Sequence, residues 1–395
     1  MAEIISHKSS AATLMLVLLM LAPMTGIGID LYAPSLPFIV AALKTTPTAA
    51  KLTITAYLIG YGLGQPFYGA WTDSRGRRKT LLFALLLYFF SSLAAGFAFS
   101  LNFLLVMRVL QGLAVAAIST ITKGVAVDVF TGKRLARVSN FMVASWAVGP
   151  IVGPVIGSYL QAYFDWRMNF YFLALYGFIA LLLAWFFLPE THLQRDTFNL
   201  SRIYKNYRNI LSVRQGLLLI FDMTLMYALL VIFSVLAPFL IQKEWGYSVV
   251  MYGYIALLMG VAFCLGNVSN VFLTHKYSNR WVIYFSAAGL LFASFVLFVS
   301  SWFITKGLVI TTVFLFLVIY FSGIVYPNHL GQYLNLFSSQ RAASASAILG
   351  CFMIIGTGIL SALAGVLHPG SLIAFASFYF ILIVFYSLIL TKIKL

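Results

Sequence analysis

Twelve hydrophobic segments dominate this chain of 395 residues, and each is long enough to cross a bilayer. A transmembrane helix needs about 20 mostly apolar residues. Charged residues make up 9% of the sequence and hydrophobic residues 62%, whereas a soluble domain devotes about 25% of its residues to charge. The sequence therefore predicts an all-α integral membrane protein, with helices near residues 12–33, 49–70, 80–99, 102–124, 135–160, 169–188, 213–240, 249–274, 281–299, 303–331, 342–366 and 371–391.

The meaning of the net charge of +16 depends on how the basic residues are distributed along the chain. If the N-terminus is cytoplasmic, 18 of the 25 basic residues lie in cytoplasmic segments and 5 lie outside, while Arg108 and Lys123 fall within the fourth helix. Cytoplasmic loops of membrane proteins carry such an excess of Lys and Arg. Both termini are therefore expected in the cytoplasm, and the positive charge indicates topology rather than a nucleic-acid partner.

A long polar stretch from Pro189 to about Ser212 separates six hydrophobic segments from the next six. Two membrane halves with a site between them at the midplane are typical of secondary transporters. The predicted organisation is a six-helix bundle over residues 1–190, a cytoplasmic linker over 191–212, and a second, pseudo-symmetric six-helix bundle over 213–395.

The turn between the second and third segments concentrates glycine and charge, at Gly69, Asp73, Gly76, Arg77 and Arg78. This run resembles the cytoplasmic-loop signature of the major facilitator superfamily, G-x-x-x-D-x-x-G-R-R. Three further runs, D-x-Y-x-P-x-x-P at 30–37, Y-L-x-G-x-x-x-G-Q at 57–65 and R-x-x-Q-G at 108–112, resemble the twelve-helix drug:proton antiporters of that superfamily. They are most similar to the bicyclomycin and chloramphenicol resistance subfamily. The detailed resemblance covers about residues 25–175, and the second half agrees in hydropathy and length.

The resemblance implies that the charged turn is part of a conformational switch. A carboxylate at Asp73 can accept from the N-terminus of a facing helix, where the helix dipole favours negative charge. Asp128, near the end of the fourth helix, is expected to contact the basic turn. The other interpretation of the turn is that it only fixes topology.

Charge within the bilayer is costly and indicates function by default. Asp30 and Arg108 both fall in the outer half of the membrane, so they can form a pair across the first bundle. A carboxyl group in apolar surroundings holds a proton more readily than one in water, so this pair is predicted to couple proton movement to transport. Asp222 is a second candidate for proton coupling, a counter-charge for a cationic substrate, or a plain hydrogen-bond partner of a neighbouring helix.

The fifth segment carries small residues at a spacing of four, Gly149, Gly153 and Gly157, with Pro150 and Pro154 between them. Small residues at this spacing let helices approach closely, and proline bends a helix. The segment is predicted to pack tightly, to act as a hinge, or to do both.

A substrate pocket is expected between the halves, apolar with few polar anchors. The candidate substrate-binding residues are aromatic or amide side chains of the second, fifth, seventh and tenth segments: Tyr57, Tyr61, Gln65, Asn140, Trp146, Tyr227, Phe233, Tyr326 and Asn328.

No cofactor or metal is expected, because the two cysteines and five histidines show no ligand spacing. There is no Walker-type loop, so the proton gradient is the expected energy source. The leading hypothesis is a monomeric exporter of small amphipathic organic molecules from the bacterial cytoplasm, in exchange for protons. Its expected partners are the small-molecule substrate, protons and membrane lipids of the bacterial inner membrane.

The main alternative is a transporter dedicated to one metabolite, such as a siderophore, sugar, purine or amino-acid derivative. The same fold hosts all of these, although the scarcity of polar residues in the predicted core favours an apolar cargo. A membrane-embedded enzyme would need a catalytic constellation such as Ser/His or a metal site, and the sequence has none. A channel has no use for two halves that rock against each other.

Overall fold

The computed structural model describes residues 11–191, 207–304, 306–366 and 371–393, and within them the regular structure is entirely helical. The first helix, α1, is broken and spans Ala11–Ala42. The others are α2 (Pro47–Arg75), α3 (Arg77–Gly96), α4 (Leu101–Val129), α5 (Gly132–Tyr163), α6 (Arg167–Phe187), α7 (Arg214–Phe239, continued by a π-helical turn over Leu240–Glu244), α8 (Val249–Lys276), α9 (Asn279–Ser300), α10 (Leu308–Asn335), α11 (Ser339–Val366) and α12 (Leu372–Leu390).

Eleven of these twelve described helices are long and apolar enough to cross a membrane. The exception, α2, has 29 residues, but threonine, glycine, tyrosine and Gln65 dilute its hydrophobicity. It packs against α4 and α11, so its polar side chains meet protein rather than lipid. The predicted all-α membrane fold is confirmed. Helix α2 is counted as the twelfth membrane-spanning helix because of its length and its packing against α4 and α11.

The two halves repeat the same packing with an offset of six helices. In the first half α1 packs on α5, α2 on α4, and α3 on both α4 and α6. In the second half α7 packs on α11, α8 on α10, and α9 on both α10 and α12. Contacts between the halves come mainly from α2 with α11 and from α5 with α8. This pairing is the pseudo-symmetric arrangement that the hydropathy pattern predicts. The division of the chain at residues 191–212 stays a prediction, because 192–206 lie outside the described residues.

Helix α1 is broken at Pro23, where the second helical stretch, Met24–Asp30, begins. Proline has no N–H, so carbonyls of the preceding turn lose their helical donors. Two side chains replace those donors: Ser145 Oγ donates to the carbonyl of Leu19 and Tyr176 Oη to that of Met20, each at 2.6 Å. Neighbouring helices thus satisfy the backbone groups that the bilayer cannot.

The charged run at 69–79 is helical rather than an extended turn, which corrects the sequence prediction. Helix α2 continues through Gly69 and Asp73 to Arg75, and α3 starts at Arg77. Gly76 alone reverses the chain, with φ +96°. This left-handed conformation favours glycine, which explains why a single residue suffices.

Helix α5 stays continuous through Pro150 and Pro154. Its three spaced glycines face α1, and a Cβ at Gly157 would collide with the carbonyl oxygen of Leu31. These small residues therefore lie in close contact with α1, as the packing interpretation expects, while a hinge stays a prediction.

Candidate functional site

A cavity of about 50 Å³ lies between the halves, where α1 and α5 of the first half meet α7 and α8 of the second. Its wall is mostly apolar and aromatic, and among the described residues Asp30 is its one carboxylate. The residues around it are Gly26, Ile29, Asp30, Trp146, Ala147, Pro150, Ile151, Pro154, Tyr227, Leu230, Val231, Phe233, Ser234, Ala256, Met259, Gly260, Phe263 and Cys264.

Asp30 ends the second stretch of α1 and is half-buried. Its carboxylate Oδ1 accepts a hydrogen bond of 2.8 Å from Ser234 Oγ on α7. This bond joins the two halves directly at the cavity wall. Because a carboxylate accepts more strongly than a neutral acid, the strength of the bond depends on whether Asp30 is protonated.

Arg108 does not pair with Asp30, contrary to the geometry expected from the sequence. The guanidinium is fully buried and lies 4.3 Å from the ring centroid of Tyr57 and 4.6 Å from that of Tyr32. Its Nη1 donates to Gln111 Oε1 at 2.9 Å and its Nε to the carbonyl of Thr53 at 3.3 Å. Aromatic faces attract a desolvated cation, and they stabilise Arg108 here. None of the ion pairs that the described residues form includes Arg108.

Asp222 lies away from the cavity, in the interior of the second half. Its Oδ2 is 2.9 Å from Nε2 of His329 on α10, and both side chains are fully buried. Tyr386 Oη of α12 lies 3.5 Å from the same nitrogen. His329 is not predictable from the spacing of histidines along the chain, because it reaches Asp222 from another helix.

A cluster of polar side chains connects α3, α4 and the chain that follows α6. The end of the molecule where this cluster lies is called here the basic end. Arg77 pairs with Asp128, with Nη2 3.3 Å from Oδ1, so the expected contact between Asp128 and the basic turn is present. Glu190 accepts from the backbone N–H groups of Arg77 at 2.8 Å and Arg78 at 3.3 Å. A carboxylate thus caps the N-terminus of α3, but it belongs to Glu190. The side chain of Asp73, predicted for such a role, lies outside the described part of the chain.

The opposite end, where α1 ends at Ala42 and α2 begins at Pro47, is called here the closed end. Gln242 Nε2 of the second half donates to the carbonyl of Pro34 at 3.0 Å. The hydroxyl oxygens of Tyr159 on α5 and Tyr254 on α8 are 2.7 Å apart. The halves therefore touch on the side of the cavity that faces away from the basic end.

The sequence matches the profile of the Major Facilitator Superfamily over residues 18–350. The chain belongs to the Major Facilitator Superfamily. It is therefore a multi-pass membrane transporter rather than an enzyme, as the sequence analysis predicts.

Individual relatives within the Major Facilitator Superfamily narrow the comparison. The chain is 34% identical over 191 residues to the chloramphenicol resistance protein of Pseudomonas aeruginosa, covering 48% of this chain and 46% of that one. It is 27% identical over 204 residues to a bicyclomycin resistance protein homolog of Haemophilus influenzae, covering 51% of each. These matches span about half the length of each relative. The predicted resemblance to the bicyclomycin and chloramphenicol resistance proteins is confirmed.

The chain also has the fold of a solved transporter structure. The crystal structure of a D-xylose-proton symporter superposes with a TM-score of 0.81, covering 98% of both chains at 15% sequence identity. At this identity the likeness concerns the fold.

Three of the nine predicted substrate-binding residues, Trp146, Tyr227 and Phe233, line the cavity together with Asp30. The other six lie outside its wall. Tyr57 packs on Arg108 and Tyr61 packs edge-on against Tyr57, inside the first half. Their periodicity on α2 does not distinguish the face toward the cavity from the face toward α4.

Gln65 faces Gly350 where α2 meets α11. Asn140 is exposed on the part of α5 that lies near the basic end. Tyr326 donates to the sulfur of Met353 at 3.7 Å. Asn328 is buried and donates to Asn270 Oδ1 at 2.7 Å, so it joins α10 to α8 within the second half. Tyr326 and Asn328 thus bond to neighbouring helices, and none of these four residues lies in the cavity wall.

Cavity residues that the sequence analysis missed include Ser234, Met259, Phe263 and Cys264. Apolar residues are abundant in every segment, so the sequence carried no signal for Met259 or Phe263. Ser234 is different: it is the one hydroxyl in the apolar stretch 228–239, which is a detectable signal, and it bonds to Asp30.

Proposed function

We propose that the protein is a proton-coupled exporter of small amphipathic organic molecules, working by alternating access in a bacterial inner membrane. The observation that carries the proposal is the position of Asp30. It is the one carboxylate that the described part of the chain contributes to the wall of a mostly apolar cavity, and it is hydrogen-bonded to the opposite half through Ser234.

Proton binding at Asp30 changes this tie between the halves. A hydrogen bond to an ionised acceptor is roughly twice as strong as one between neutral groups. Protonation of the carboxylate therefore weakens the bond from Ser234 and favours separation of α1 and α7. The same group thus senses the proton and acts on the contact that must break for the closed end to open.

The cavity wall supports an amphipathic cargo. Trp146, Phe233, Phe263 and Met259 supply apolar and aromatic surface, while Asp30 supplies a polar anchor. Drug-sized ligands occupy pockets of about 300–1,000 Å³, and the cavity here holds about 50 Å³. The cavity must therefore widen to hold cargo, which is consistent with a site that changes shape during transport.

The named relatives support export of antibiotics, since they include chloramphenicol and bicyclomycin resistance proteins. The proton gradient can supply the energy, because one charge moved across the membrane yields about 2.3 kcal/mol per 100 mV. Asp222 with His329 is the second candidate for a proton-binding group.

The test is proton movement triggered by substrate in proteoliposomes that contain a pH-sensitive dye, with a panel of antibiotics and dyes. We expect proton flux with some compounds for the wild type and its loss in Asp30→Asn. The matched control is Asp165→Asn, because Asp165 is 52% exposed and pairs with its neighbour Arg167. Binding or exchange of a compound without any proton flux would contradict antiport and favour a facilitator or a dedicated metabolite carrier.

A further inference from the structure

Helices α5 and α8 touch over the part of their length that approaches the closed end. There Gly253 packs against Ser158, and Gly260 packs against Ile151. Both glycines lie so close to α5 that a Cβ on either would collide with it. The faces in contact are therefore well defined on both helices.

Toward the basic end, the continuation of these faces is exposed. On α5, Asn140 and Ala144 are exposed. On α8, Val268 and Val271 are 54% and 66% exposed. Because the same faces touch near the closed end and are uncovered toward the basic end, the two helices diverge. The gap between them leads toward Cys264 and Trp146 at the cavity.

An open groove of about 550 Å³ lies along this part of α5. Its lining residues are Lys133, Arg137, Asn140, Phe141 and Ala144. Their spacing places them on one helical face, so the groove is a continuous strip rather than a scatter of surface residues.

The chemistry changes along this strip in a definite order. Lys133 and Arg137 lie one turn apart, about 6 Å along the axis, at the end of the helix. Phe141 and Ala144 follow over the next 10 Å or so toward the membrane interior. Neither α5 nor α8 contains an acidic residue, so nothing on the two helices neutralises the basic pair.

We propose that this groove binds an anionic phospholipid. The basic pair holds the phosphate of the headgroup, and one acyl chain lies along Phe141, Ala144 and the exposed valines of α8. Charge complementarity selects this occupant, because basic residues at a membrane surface attract anionic lipids and the apolar strip above them is uncovered. The lipid would keep α5 and α8 separated near the basic end. This inference does not depend on proton coupling or on the identity of the cargo.

The test is lipid binding to the purified full-length protein in detergent, measured by native mass spectrometry with phosphatidylglycerol and, separately, phosphatidylcholine. We expect tighter binding of phosphatidylglycerol to the wild type. Each basic residue near a membrane surface contributes about 1 kcal/mol, or about fivefold in affinity. Lys133→Gln/Arg137→Gln should therefore weaken phosphatidylglycerol binding by more than about tenfold.

The matched control is Lys276→Gln/Arg280→Gln, which removes the same charge from two exposed residues, also four apart, at the same end. These side chains lie over the rings of Tyr277 and Tyr284 rather than in the groove, so we expect less than about a twofold loss. An equal loss in both variants would overturn the proposal in favour of general surface charge. Equal affinity for the two lipids would also overturn it.

A second variant tests the acyl chain. Phe141→Ser keeps the charges and removes apolar surface from the strip, so it should weaken phosphatidylglycerol binding without affecting binding of soluble glycerol phosphate. If glycerol phosphate competes at the same concentration as the lipid, the groove is a site for a soluble anion and the lipid proposal is wrong.

Discussion

Buried charged side chains in this protein are accommodated in three different ways. Arg108 is surrounded by aromatic faces and backbone or amide oxygens. Asp222 meets a histidine from another helix. Lys51 is 1% exposed, and its Nζ has no hydrogen-bond acceptor among the described residues. An unpaired buried charge destabilises the arrangement that buries it, whereas removing one partner of a buried pair is destabilising. Substitutions at Lys51 and Asp222 should therefore act in opposite directions on stability.

The Asp222–His329 pair should stabilise the second half. We expect Asp222→Asn and His329→Gln each to lower the free energy of unfolding by about 1–3 kcal/mol, the cost of leaving a buried polar partner unsatisfied. The double variant should lose less than the sum of the two. Unfolding in detergent, followed for all four proteins, measures the coupling. Strictly additive losses would show that the two side chains do not interact.

Lys51 should oppose closure of the closed end, because closure buries its ammonium between the halves. Its Nζ lies 4.6 Å from the ring centroid of Phe239 on α7, and a cation–π contact returns only about 0.5–2 kcal/mol of the several that burial costs. Lys51→Met should therefore favour the closed arrangement by at least about 1 kcal/mol, or fivefold.

The readout for Lys51 is the reaction of a cysteine placed at Ser158, which is fully buried against α8, after Cys264 and Cys351 are replaced by serine. A membrane-impermeant thiol reagent should label it about fivefold more slowly in Lys51→Met. The control, Lys243→Met, changes an exposed lysine and should leave the rate unchanged. Faster labelling in Lys51→Met would contradict the expected direction.

At the scale of single residues, the sequence located Asp30, Arg108 and Asp222 within the membrane segments but not their partners, and it did not single out Lys51. Asp30, Arg108 and Asp222 were recognisable because charge is rare in apolar segments. Ser234, His329 and the aromatic surroundings of Arg108 come from other helices, and partners across helices depend on helix rotation. Periodicity in an almost uniformly apolar segment leaves that rotation undetermined.

At the scale of helices, small residues determine which faces meet. Gly157 of α5 lies against the backbone of α1 at Leu31, and Gly253 of α8 lies against α5. Helix association in membranes depends on such close packing, since no hydrophobic force drives helices together within lipid. The number of helices was predictable from hydropathy. The continuous helix through Gly69 and Asp73 was not, because a cluster of charge and glycine looks like a loop until Gly76 is seen to make the turn alone.

Substitution of Gly157 should disrupt packing between α1 and α5. A Cβ at this position overlaps the carbonyl of Leu31, so Gly157→Ala should lower stability by about 1–3 kcal/mol, the usual cost of overpacking. Gly331 in α10 has open space around it, and Gly331→Ala should be neutral or stabilising by up to about 1 kcal/mol. Thermal unfolding in detergent compares the two. A similar shift in both variants would contradict the packing argument.

At the scale of the whole molecule, the two halves meet at the closed end and diverge between α5 and α8 toward the basic end. If transport requires the halves to rock, a covalent link across the closed end must stop it. Gly253 and Ser158 suit such a link, because a Cβ on Gly253 would lie 2.9 Å from that of Ser158. This is slightly shorter than the roughly 3.5–4.5 Å of a disulfide, so a small separation of α5 and α8 accommodates the bond.

With Cys264 and Cys351 replaced by serine, Ser158→Cys/Gly253→Cys should transport at the rate of the Gly253→Cys single variant when reduced and not at all when oxidised, and dithiothreitol should restore that rate. Each single cysteine variant controls for the crowding that a side chain at Gly253 introduces, and neither should respond to oxidant. Substrate should still bind to the oxidised protein from the basic end, because the gap between α5 and α8 lies on that side of the link. Transport that continues with the disulfide fully formed would show that the closed end does not open during the cycle, and alternating access by rocking of the halves would have to be abandoned.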